Sequence, residues 1–437
     1  MLEAPTLEQL NEKAVEADRR HALMSRAVFE FSNKSFLPEI VKDQIAALDF
    51  NNPYKKRVLV LYYGGTLGMH EENLPDGTIQ LVPTDDARKL LDPLNARGLA
   101  ERMQVVWFPV FPAIDSTDAR WPHWVSIANA IELLYDDFDG FAIAGGTDTK
   151  DHLMAAMHFI YPNFGKPIIG IAAQQRQEEY GEDATQNLSF GLQVAIEDIR
   201  GAHLAFHNKL LHGLHIFKDK DQDYDAFVSP PQYELGRFRQ GKVVLYGNQP
   251  RRENIVVRRR LQVNKNFRDG IKLIKQSPFM WGDSLIHDAN DMNAHVLLLE
   301  TYGAGNVRGL PMFEGELTLV DALRALHQRK FPVVLGSPMK DGAIDSSYKS
   351  GVDALKAGAI SGGDTTGAAL YVKLSRVLAE SWTGPFQFHS TKSTMDPLAE
   401  DEIRKSTGIE YNDFRKGMYT PHVGELTMKL EDIADKI

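Results

Sequence analysis

Short apolar runs alternate with longer amphipathic segments along most of the chain, and this alternation limits the fold more than any other feature. The runs from residue 57 onward are too brief for buried helices and are rich in β-branched residues; they are RVLVLYY, MQVVWFPV, FDGFAIAGG and KPIIGIAA. Between them lie amphipathic segments such as RWPHWVSIANAIELLYDDF. Strands that alternate with helices predict parallel βαβ units with helices on both faces of a sheet.

The same alternation returns after residue 270 with GIKLIKQ, AHVLLLETYG and FPVVLGS. We therefore predict an α/β protein with two parallel-sheet domains, a number that the length of 437 residues also favours. Apolar residues at helical spacing before the first strand predict a helical N-terminal extension. The predicted divisions are the extension (1–55), an N-terminal α/β domain (56–228), a linker with some strand (229–268), a smaller C-terminal α/β domain (269–385) and a C-terminal tail (386–437).

Composition excludes several classes of protein. The chain has no cysteine, so disulfides, thiolate metal sites and a thiol nucleophile are all excluded. It has no run of about 18 apolar residues of the kind that spans a membrane, and its N-terminus lacks the apolar core of a signal peptide. A net charge of −10 argues against a binder of nucleic acid. The sequence therefore predicts a cytoplasmic protein without a membrane or nucleic-acid partner.

Three loops that follow predicted strands are rich in hydroxyl groups. They are GGT (64–66), AIDSTD (113–118) and GGTDT (145–149). In open parallel sheets, ligands bind beyond the carboxyl ends of the strands, where these loops would converge. Together they would offer threonine hydroxyls, a carboxylate and backbone N–H groups suited to an oxyanion hole. The paired glycines either form a simple turn or clear a path for a ligand to Thr66.

A hydroxyl nucleophile needs a nearby group that accepts its proton. The three loops contain no histidine, but they contain Asp148 between two threonines. A lysine held by that aspartate would serve if its environment lowers its pKa. The residues alone leave the source of this lysine open.

Five segments resemble, in the family's order, the signatures of the asparaginase/glutaminase family, and most closely those of type I (cytoplasmic-type) asparaginases. They are YYGGTLGM, AIDSTDARWPHW, AGGTDTKDHLMAAM, LLETYGAGNV and GAISGGDTTGAALYVKL. The resemblance covers residues 57–385, and GELT at 424–427 is similar to the family's C-terminal end. It implies hydrolysis of L-asparagine to L-aspartate and ammonia through a threonine acyl-enzyme. It also implies that no metal or cofactor is used, and that the protein is a homodimer or homotetramer whose C-terminal domain helps to complete the site.

The resemblance also implies the site residues. An ungapped match of HNKLLHGLHIFKDKDQDYDAF places the family's lysine at Lys218, although the charged run KDKDQD alone is typical of a surface lysine. The implied catalytic residues are Thr66, Thr147, Asp148 and Lys218. The implied substrate-binding residues are Gly65, Ser116, Thr117, Gly146 and Asp148, with Asp148 facing the α-ammonium group.

The sequence departs from the family at two positions. The family has a tyrosine on the loop after the first threonine, where this chain has Gly77 and Thr78. The family's usual histidine before GTDT is Gly145 here. Tyr62 and Tyr63 are close to Thr66 in sequence, but the sequence does not say whether either replaces the loop tyrosine. These departures leave room for a divergent activity.

Two other functions remain open. One is the ammonia-producing subunit of a tRNA-dependent amidotransferase, in which an arginine cluster would contact the RNA backbone; the cluster comprises Arg251, Arg252, Arg258, Arg259 and Arg260. A solvated or subunit-contact strand explains these arginines more simply. The other is a non-catalytic amino-acid sensor that keeps Ser116 and Asp148 for binding.

The segment HLAFHNKLLHGLH carries four histidines. His203 and His207 have the i, i+4 spacing of a helical zinc pair. The segment is predicted to be a strand, however, on which the two would lie about 13 Å apart. We therefore predict no metal site.

Overall fold

The structure is a computed structural model that describes residues 7–83, 88–92, 98–176, 182–221, 223–247, 261–291, 293–344, 348–365, 367–384, 387–390, 403–406 and 409–422. It divides the chain into two compact units. We call them the N-terminal unit, Ala27–Lys265, and the C-terminal unit, Met1–Arg26 with Asn266–Ile437. The arginine cluster at 251–260 and the segment GELT at 424–427 lie outside the described residues.

Helices and strands are numbered in chain order. The helices are α1 (Leu7–Arg26), α2 (Glu39–Ala46), α3 (Leu99–Arg102), α4 (Trp121–Leu133), α5 (Lys150–Ile160), α6 (Ala184–Val194), α7 (Gly282–Ala289), α8 (Leu319–Gln328), α9 (Lys349–Lys356), α10 (Gly367–Glu380) and α11 (Tyr411–Tyr419). The strands are β1 (Lys56–Gly64), β2 (Met69–Asn73), β3 (Ile79–Pro83), β4 (Met103–Ile114), β5 (Gly140–Ala144), β6 (Pro167–Ile171), β7 (Gly201–Phe206), β8 (Lys209–His212), β9 (Phe217–Lys218), β10 (Phe227–Val228), β11 (Glu234–Arg239), β12 (Lys242–Leu245), β13 (Ile271–Lys275), β14 (Val296–Glu300), β15 (Val333–Gly336), β16 (Ile360–Ser361), β17 (Gln387–Ser390) and β18 (Ile403–Ser406). Within the described residues, no helix combines the length and the apolar character that crossing a membrane requires.

A large mixed sheet forms the centre of the N-terminal unit. Its strand order is β12-β11-β8-β7-β6-β5-β1-β4. Strands β4, β1, β5, β6 and β7 run parallel, and every residue of β5 and β6 is buried. Parallel strands buried on both faces are expected to be continuous apolar runs, which is how these segments read in the sequence. The predicted parallel α/β fold is confirmed here.

One edge of this sheet is antiparallel. Strand β8 turns back on β7, and β11 and β12 follow as further antiparallel neighbours. His207 and Asn208 make the tight turn between β7 and β8 with φ angles of 42° and 63°. Two successive residues with positive φ are typical of a type I′ hairpin turn. The segment predicted as a linker with some strand therefore supplies β11 and β12 to the main sheet.

Helix α2 covers the other edge of the sheet, at β4. The Gln44 side chain accepts a hydrogen bond from the Trp107 N–H at 2.9 Å and donates one to the Trp107 carbonyl at 3.0 Å. Gln104 makes a similar pair of hydrogen bonds with the backbone of Asp49, at 2.7 and 3.1 Å. The Gln44 contacts satisfy backbone groups of β4 that an edge strand would otherwise leave unpaired, and the Gln104 contacts tie the residues after α2 to the same strand.

The C-terminal unit has a parallel sheet with the order β13-β14-β15-β16. Successive residues of β14 face opposite sides of this sheet. Leu297 and Leu299 pack with residues of α7, α8 and α9, whereas Val296 and Leu298 pack with residues of α10 and α11. Helices therefore cover both faces, and the predicted second parallel α/β sheet is confirmed.

Helix α1 belongs to the C-terminal unit, whereas α2 belongs to the N-terminal unit. Arg268 forms an ion pair with Asp18 of α1. The guanidinium of Arg268 also stacks on the Trp382 ring, 3.3 Å from its centroid. The two parts of the predicted N-terminal extension thus pack on different units.

We expect Gln44→Ala to loosen the β4 edge, because the Trp107 N–H and carbonyl would both lose their partner. Loss of the hydrogen bond to the Trp107 N–H should speed amide hydrogen exchange in β4 by roughly tenfold, measured by mass spectrometry. Lys42→Ala is the matched control on the same helix, since Lys42 pairs with the exposed Glu39. Unchanged exchange in Gln44→Ala would contradict this account of the edge.

Candidate active site

Three loops meet at the carboxyl ends of β1, β4 and β5. Gly65 has a φ of 78°, and a Cβ atom placed on it would lie 2.0 Å from the Gly146 nitrogen. A Cβ atom on Gly146 would lie 2.3 Å from the Ser116 hydroxyl oxygen. The Gly65 N–H donates to the Ile114 carbonyl at 3.2 Å. The loops can approach this closely only because both positions lack a side chain.

Lys218 joins this loop cluster from the end of β9. Its Nζ donates to the Thr147 hydroxyl at 3.1 Å and to Asp148 Oδ1 at 2.5 Å. Only 18% of the Lys218 side chain is exposed, and Thr147 is buried. The structure therefore brings together Thr147, Asp148 and Lys218, three of the four residues predicted to be catalytic.

The charge on Lys218 follows from its surroundings. Burial alone would lower the pKa of Lys218, but hydrogen bonds and charges from Asp148 and Asp221 outweigh burial and raise it. The Asp221 carboxylate lies 3.4 Å from the Lys218 Nζ. At neutral pH Lys218 is thus an ammonium group that donates to Thr147. It can accept a proton from a hydroxyl only after a change that lowers its pKa.

Ser116 holds the other side of Asp148. The buried Ser116 hydroxyl donates to Asp148 Oδ2 at 3.3 Å and accepts from the Asp148 N–H at 3.2 Å. The Thr149 hydroxyl donates to the Ser116 carbonyl at 2.9 Å and ties the two loops together. One carboxylate oxygen of Asp148 thus contacts Lys218 and the other contacts Ser116. With 42% of its side chain exposed, Asp148 also presents charge to solvent.

Thr117 and Thr66 are placed differently. Thr117 is exposed, and both its N–H and its hydroxyl donate to Asp115 Oδ1, at 2.8 and 2.9 Å. Its hydroxyl is therefore turned toward Asp115. Thr66 is partly buried and begins a short 3₁₀ turn directly after Gly65. In the described part of the chain, no hydrogen bond joins the Thr66 side chain to Thr147 or Lys218.

Tyr63 occupies the space beside Gly145, where the family usually has a histidine. A Cβ atom on Gly145 would lie 2.2 Å from the Tyr63 ring. Tyr63 is buried, and its hydroxyl donates to the Gly146 carbonyl at 3.4 Å. Burial raises the pKa of the Tyr63 hydroxyl, so this group stays protonated. The two residues are complementary, because the ring fills the volume that a side chain at 145 would need.

Lys150 is a buried residue of the site that the sequence analysis did not single out. Its Nζ donates to the Ile143 carbonyl at 3.2 Å and lies 4.7 Å from the centroid of the Tyr63 ring. Burial lowers the pKa of Lys150 well below its usual value. The sequence could have pointed to Lys150, because this lysine directly follows Thr149 and precedes an apolar helical segment.

The loop after Thr66 forms the hairpin of β2 and β3. Gly77, in the position that corresponds to the family's loop tyrosine, has a φ of 84° in the turn of this hairpin. An ion pair of 2.5 Å between Glu71 and Arg176 links the hairpin to the segment after β6. The Tyr62 hydroxyl lies against Gly68, the last residue of the 3₁₀ turn that begins at Thr66. A Cβ atom placed on Gly68 would lie 2.1 Å from the Tyr62 hydroxyl oxygen.

Two family descriptions match the chain. The family description "Asparaginase, N-terminal" matches residues 57–251. The description "Glutaminase/Asparaginase C-terminal domain" matches residues 272–384. The two matches together cover most of the chain, in the order in which the two parallel sheets occur. The chain belongs to the asparaginase family, and the resemblance inferred from its motifs is confirmed.

Two L-asparaginases are among its relatives. The chain is 29% identical to the L-asparaginase of Dirofilaria immitis over 349 residues, which cover 74% of this chain and 57% of that protein. It is 29% identical to L-asparaginase 1 of Escherichia coli (strain K12) over 342 residues, covering 75% of this chain and 93% of that protein. The chain thus spans little more than half of the Dirofilaria protein and nearly all of the bacterial one.

A relative of another kind is also similar. It is a glutamyl-tRNA(Gln) amidotransferase component of Methanobrevibacter smithii, which is 30% identical over 59% of each chain.

A solved structure supports the fold. The thermostable L-asparaginase from Thermococcus kodakarensis superposes with a TM-score of 0.67 and 24% sequence identity. The superposition covers 85% of this chain and all of that one.

We expect Gly145→His to destabilise the protein, because the new side chain would overlap the Tyr63 ring. Overpacking of this kind costs roughly 1–3 kcal/mol or more. Adding Tyr63→Ala should recover much of the lost stability, because removal of the Tyr63 ring leaves space for the new histidine side chain. Melting temperatures of the two single variants and the double variant measure this coupling. Strictly additive effects would show that Tyr63 and Gly145 are independent.

Proposed function

We propose that the chain is an amidohydrolase that converts L-asparagine and water to L-aspartate and ammonia. The observation that carries the proposal is the Lys218 ammonium, held between the Thr147 hydroxyl and the Asp148 carboxylate at 3.1 and 2.5 Å. A buried threonine, an aspartate and a lysine in contact can move protons between a hydroxyl and water. Membership of the asparaginase family supplies the choice of substrate.

In this proposal the substrate's α-ammonium group binds at Asp148. Ser116 already holds Asp148 Oδ2 through a hydrogen bond, so the carboxylate is positioned before the substrate arrives. Thr117 supplies a further polar contact for the amino-acid head. The backbone N–H groups of the Gly65 and Gly146 loops stabilise the oxyanion that forms at the amide carbon.

Thr66 acts as the nucleophile in this scheme. Its hydroxyl oxygen forms a bond to the side-chain amide carbon of the substrate. The carbon–nitrogen bond then breaks, and ammonia leaves with the proton that the Thr66 hydroxyl has lost. Water then attacks the resulting ester and releases L-aspartate, restoring the Thr66 hydroxyl. Thr147 and Lys218 accept and return the proton of this water. No metal or organic cofactor takes part in the scheme.

Substrate binding itself prepares Lys218 for this role. The resting lysine has a raised pKa because the carboxylates of Asp148 and Asp221 outweigh its burial. A substrate ammonium at Asp148 adds a positive charge nearby and competes for the same carboxylate, which lowers the pKa of Lys218. The lysine becomes a proton acceptor only when substrate occupies the site.

We extend the proposal to a cytoplasmic homodimer or homotetramer. Type I asparaginase resemblance supports the oligomer, and a chain without cysteine does not require an oxidising compartment. The two other functions remain as outcomes of the test. An amidotransferase subunit would release ammonia only with its partner, and a sensor would bind an amino acid without turnover.

Ammonia release from asparagine and glutamine by the purified protein tests the proposal. Lys218→Met should reduce kcat by roughly 10²–10⁴-fold, the usual contribution of a positioned acid or base. Lys220→Met is the matched control two residues away, because exposed Lys220 pairs with Asp223 at 2.7 Å and should leave the rate unchanged. Equal rates for wild type and Lys218→Met would contradict the mechanism. Binding of asparagine without ammonia release would favour a sensor.

Asp221→Asn should shift the pH profile of kcat/KM. Asp221 is one of the two carboxylates that raise the pKa of Lys218, so its neutralisation lowers that pKa. The limb of the profile that reports Lys218 therefore moves to lower pH. Asp223→Asn, which removes a charge paired with Lys220, is the control and should not shift this limb. A shift to higher pH would contradict the assigned electrostatics.

A further inference from the structure

Three histidines of the N-terminal unit lie together outside the site described above. They are His158 at the end of α5, His203 in β7 and His212 in β8, which we call the histidine cluster. One ring nitrogen of each lies within 4.8 Å of one from each of the others. Their ring centroids are 4.8 to 5.9 Å apart.

The hairpin register creates the cluster. His203 in β7 is directly opposite His212 in β8, and neighbours across an antiparallel pair have closely spaced side chains. The sequence analysis compared His203 with His207 along one strand. His207 instead lies in the hairpin turn, with a φ of 42°. The third member, His158, is in helix α5 and lies 45 residues before His203 in the chain.

Two glycines give the His158 ring its space. A Cβ atom on Gly213 would lie 3.0 Å from His158 Cδ2 and 2.4 Å from the Ala202 carbonyl oxygen. A Cβ atom on Gly201, whose φ is 88°, would lie 3.2 Å from His158 Cε1. The backbone around the cluster thus leaves room for the ring to pack against the hairpin.

Hydrogen bonds fix the tautomers of two of the rings. His158 Nε2 donates to the Ala202 carbonyl at 2.7 Å, and His203 Nε2 donates to the Arg200 carbonyl at 2.7 Å. A carbonyl only accepts, so the lone pair of each ring lies on Nδ1. Metal-binding histidines usually hold their other ring nitrogen to a carbonyl or carboxylate in this way. Among the described residues, the buried His203 Nδ1 has no hydrogen-bond partner.

The third ring is held only weakly. The Leu214 N–H donates to His212 Nδ1 at 3.4 Å, near the long limit for a hydrogen bond. Burial lowers the pKa of His203 to about 3 and also lowers the pKa of His212. These rings are therefore neutral at physiological pH, and a neutral imidazole is the form that binds a metal.

We propose that His158, His203 and His212 bind one divalent transition-metal ion, with Zn²⁺ as the first candidate. Imidazole ligands suit zinc, and a three-histidine set leaves a fourth position for water. Bonds of about 2.0–2.1 Å to a tetrahedral ion hold the nitrogens roughly 3.4 Å apart. The ring nitrogens lie within 4.8 Å of one another, so the rings would have to move closer together on binding.

The role that follows is structural. β7 is parallel to β6, so Gly201 and His203 lie toward the amino end of the parallel strands, whereas Thr147 and Asp148 follow the carboxyl end of β5. α5 begins beside Asp148 and ends near His158. A metal at the cluster would fasten the far end of this helix to the hairpin without contacting the proposed catalytic residues.

Zinc titration of the untagged 437-residue chain tests this inference. The protein is stripped with EDTA, exchanged into chelator-free buffer and titrated with ZnCl₂ in a calorimeter. We expect one zinc per chain, with affinity lowered at least roughly tenfold in His158→Asn and His212→Asn. His207→Asn, in the same hairpin but outside the cluster, is the control and should bind as wild type does. Circular dichroism checks that each variant is folded.

Hydrogen exchange of the wild type gives a second measurement that needs no variant. Zinc should slow exchange in the last turn of α5 and in β7 and β8, because it joins them in the folded state. Absence of stoichiometric zinc binding, undiminished binding by His212→Asn, or protection confined to other segments would each overturn the proposal.

Discussion

The contact between Lys218 and Asp148 is the interaction on which the candidate site depends. It brings a lysine from a short strand of the charged segment 217–223 to the carboxyl end of β5, next to Thr147. The strand β9 that carries this lysine is only two residues long and pairs with β10, where Phe227 is opposite Lys218. The Lys218 ammonium is held by the Asp148 carboxylate and the Thr147 hydroxyl, and only 18% of its side chain is exposed. Without this contact, the strand ends would lack the lysine that the proposed mechanism uses to move protons.

In the proposed mechanism, the same contact keeps Lys218 protonated, and therefore unable to accept a proton, while no substrate is bound. Asp148 has one oxygen on Lys218 and the other on Ser116, so its charge is shared between a cation and a hydroxyl. The carboxylate thus stabilises the ammonium form of the lysine and, at the same time, presents a negative group to an incoming amino acid. In the proposed function, Asp148 would therefore couple recognition of the amino acid to the pKa of Lys218.

The sequence predicted the fold and the three loops that meet at the candidate site, but it placed Lys218 there only through family resemblance. Continuous β-branched runs identified the parallel strands, because burial on both faces requires such runs. The β7–β8 hairpin gave no comparable signal, since its turn is His207-Asn208 rather than a glycine pair. Lys218 lies in a charged run that predicts exposure, and only alignment to a family placed it at the site. Tyr63 and Gly145, which pack together, are far apart in sequence. The pairing of His203 with His212 depends on the register of a hairpin whose turn gave no signal. Local patterns could therefore predict neither contact.

The cover that α2 gives to β4 has a consequence for handling the protein. The family match begins at residue 57, so a fragment trimmed to the recognised family region would lack Gln44 and the rest of α2. The backbone of β4 around Trp107 would then be an open strand, and such strands add strands from other molecules. The segment before residue 57 therefore protects the β4 edge from pairing with strands of other molecules. An enzyme assay on dilute protein would not reveal this property, because aggregation depends on protein concentration.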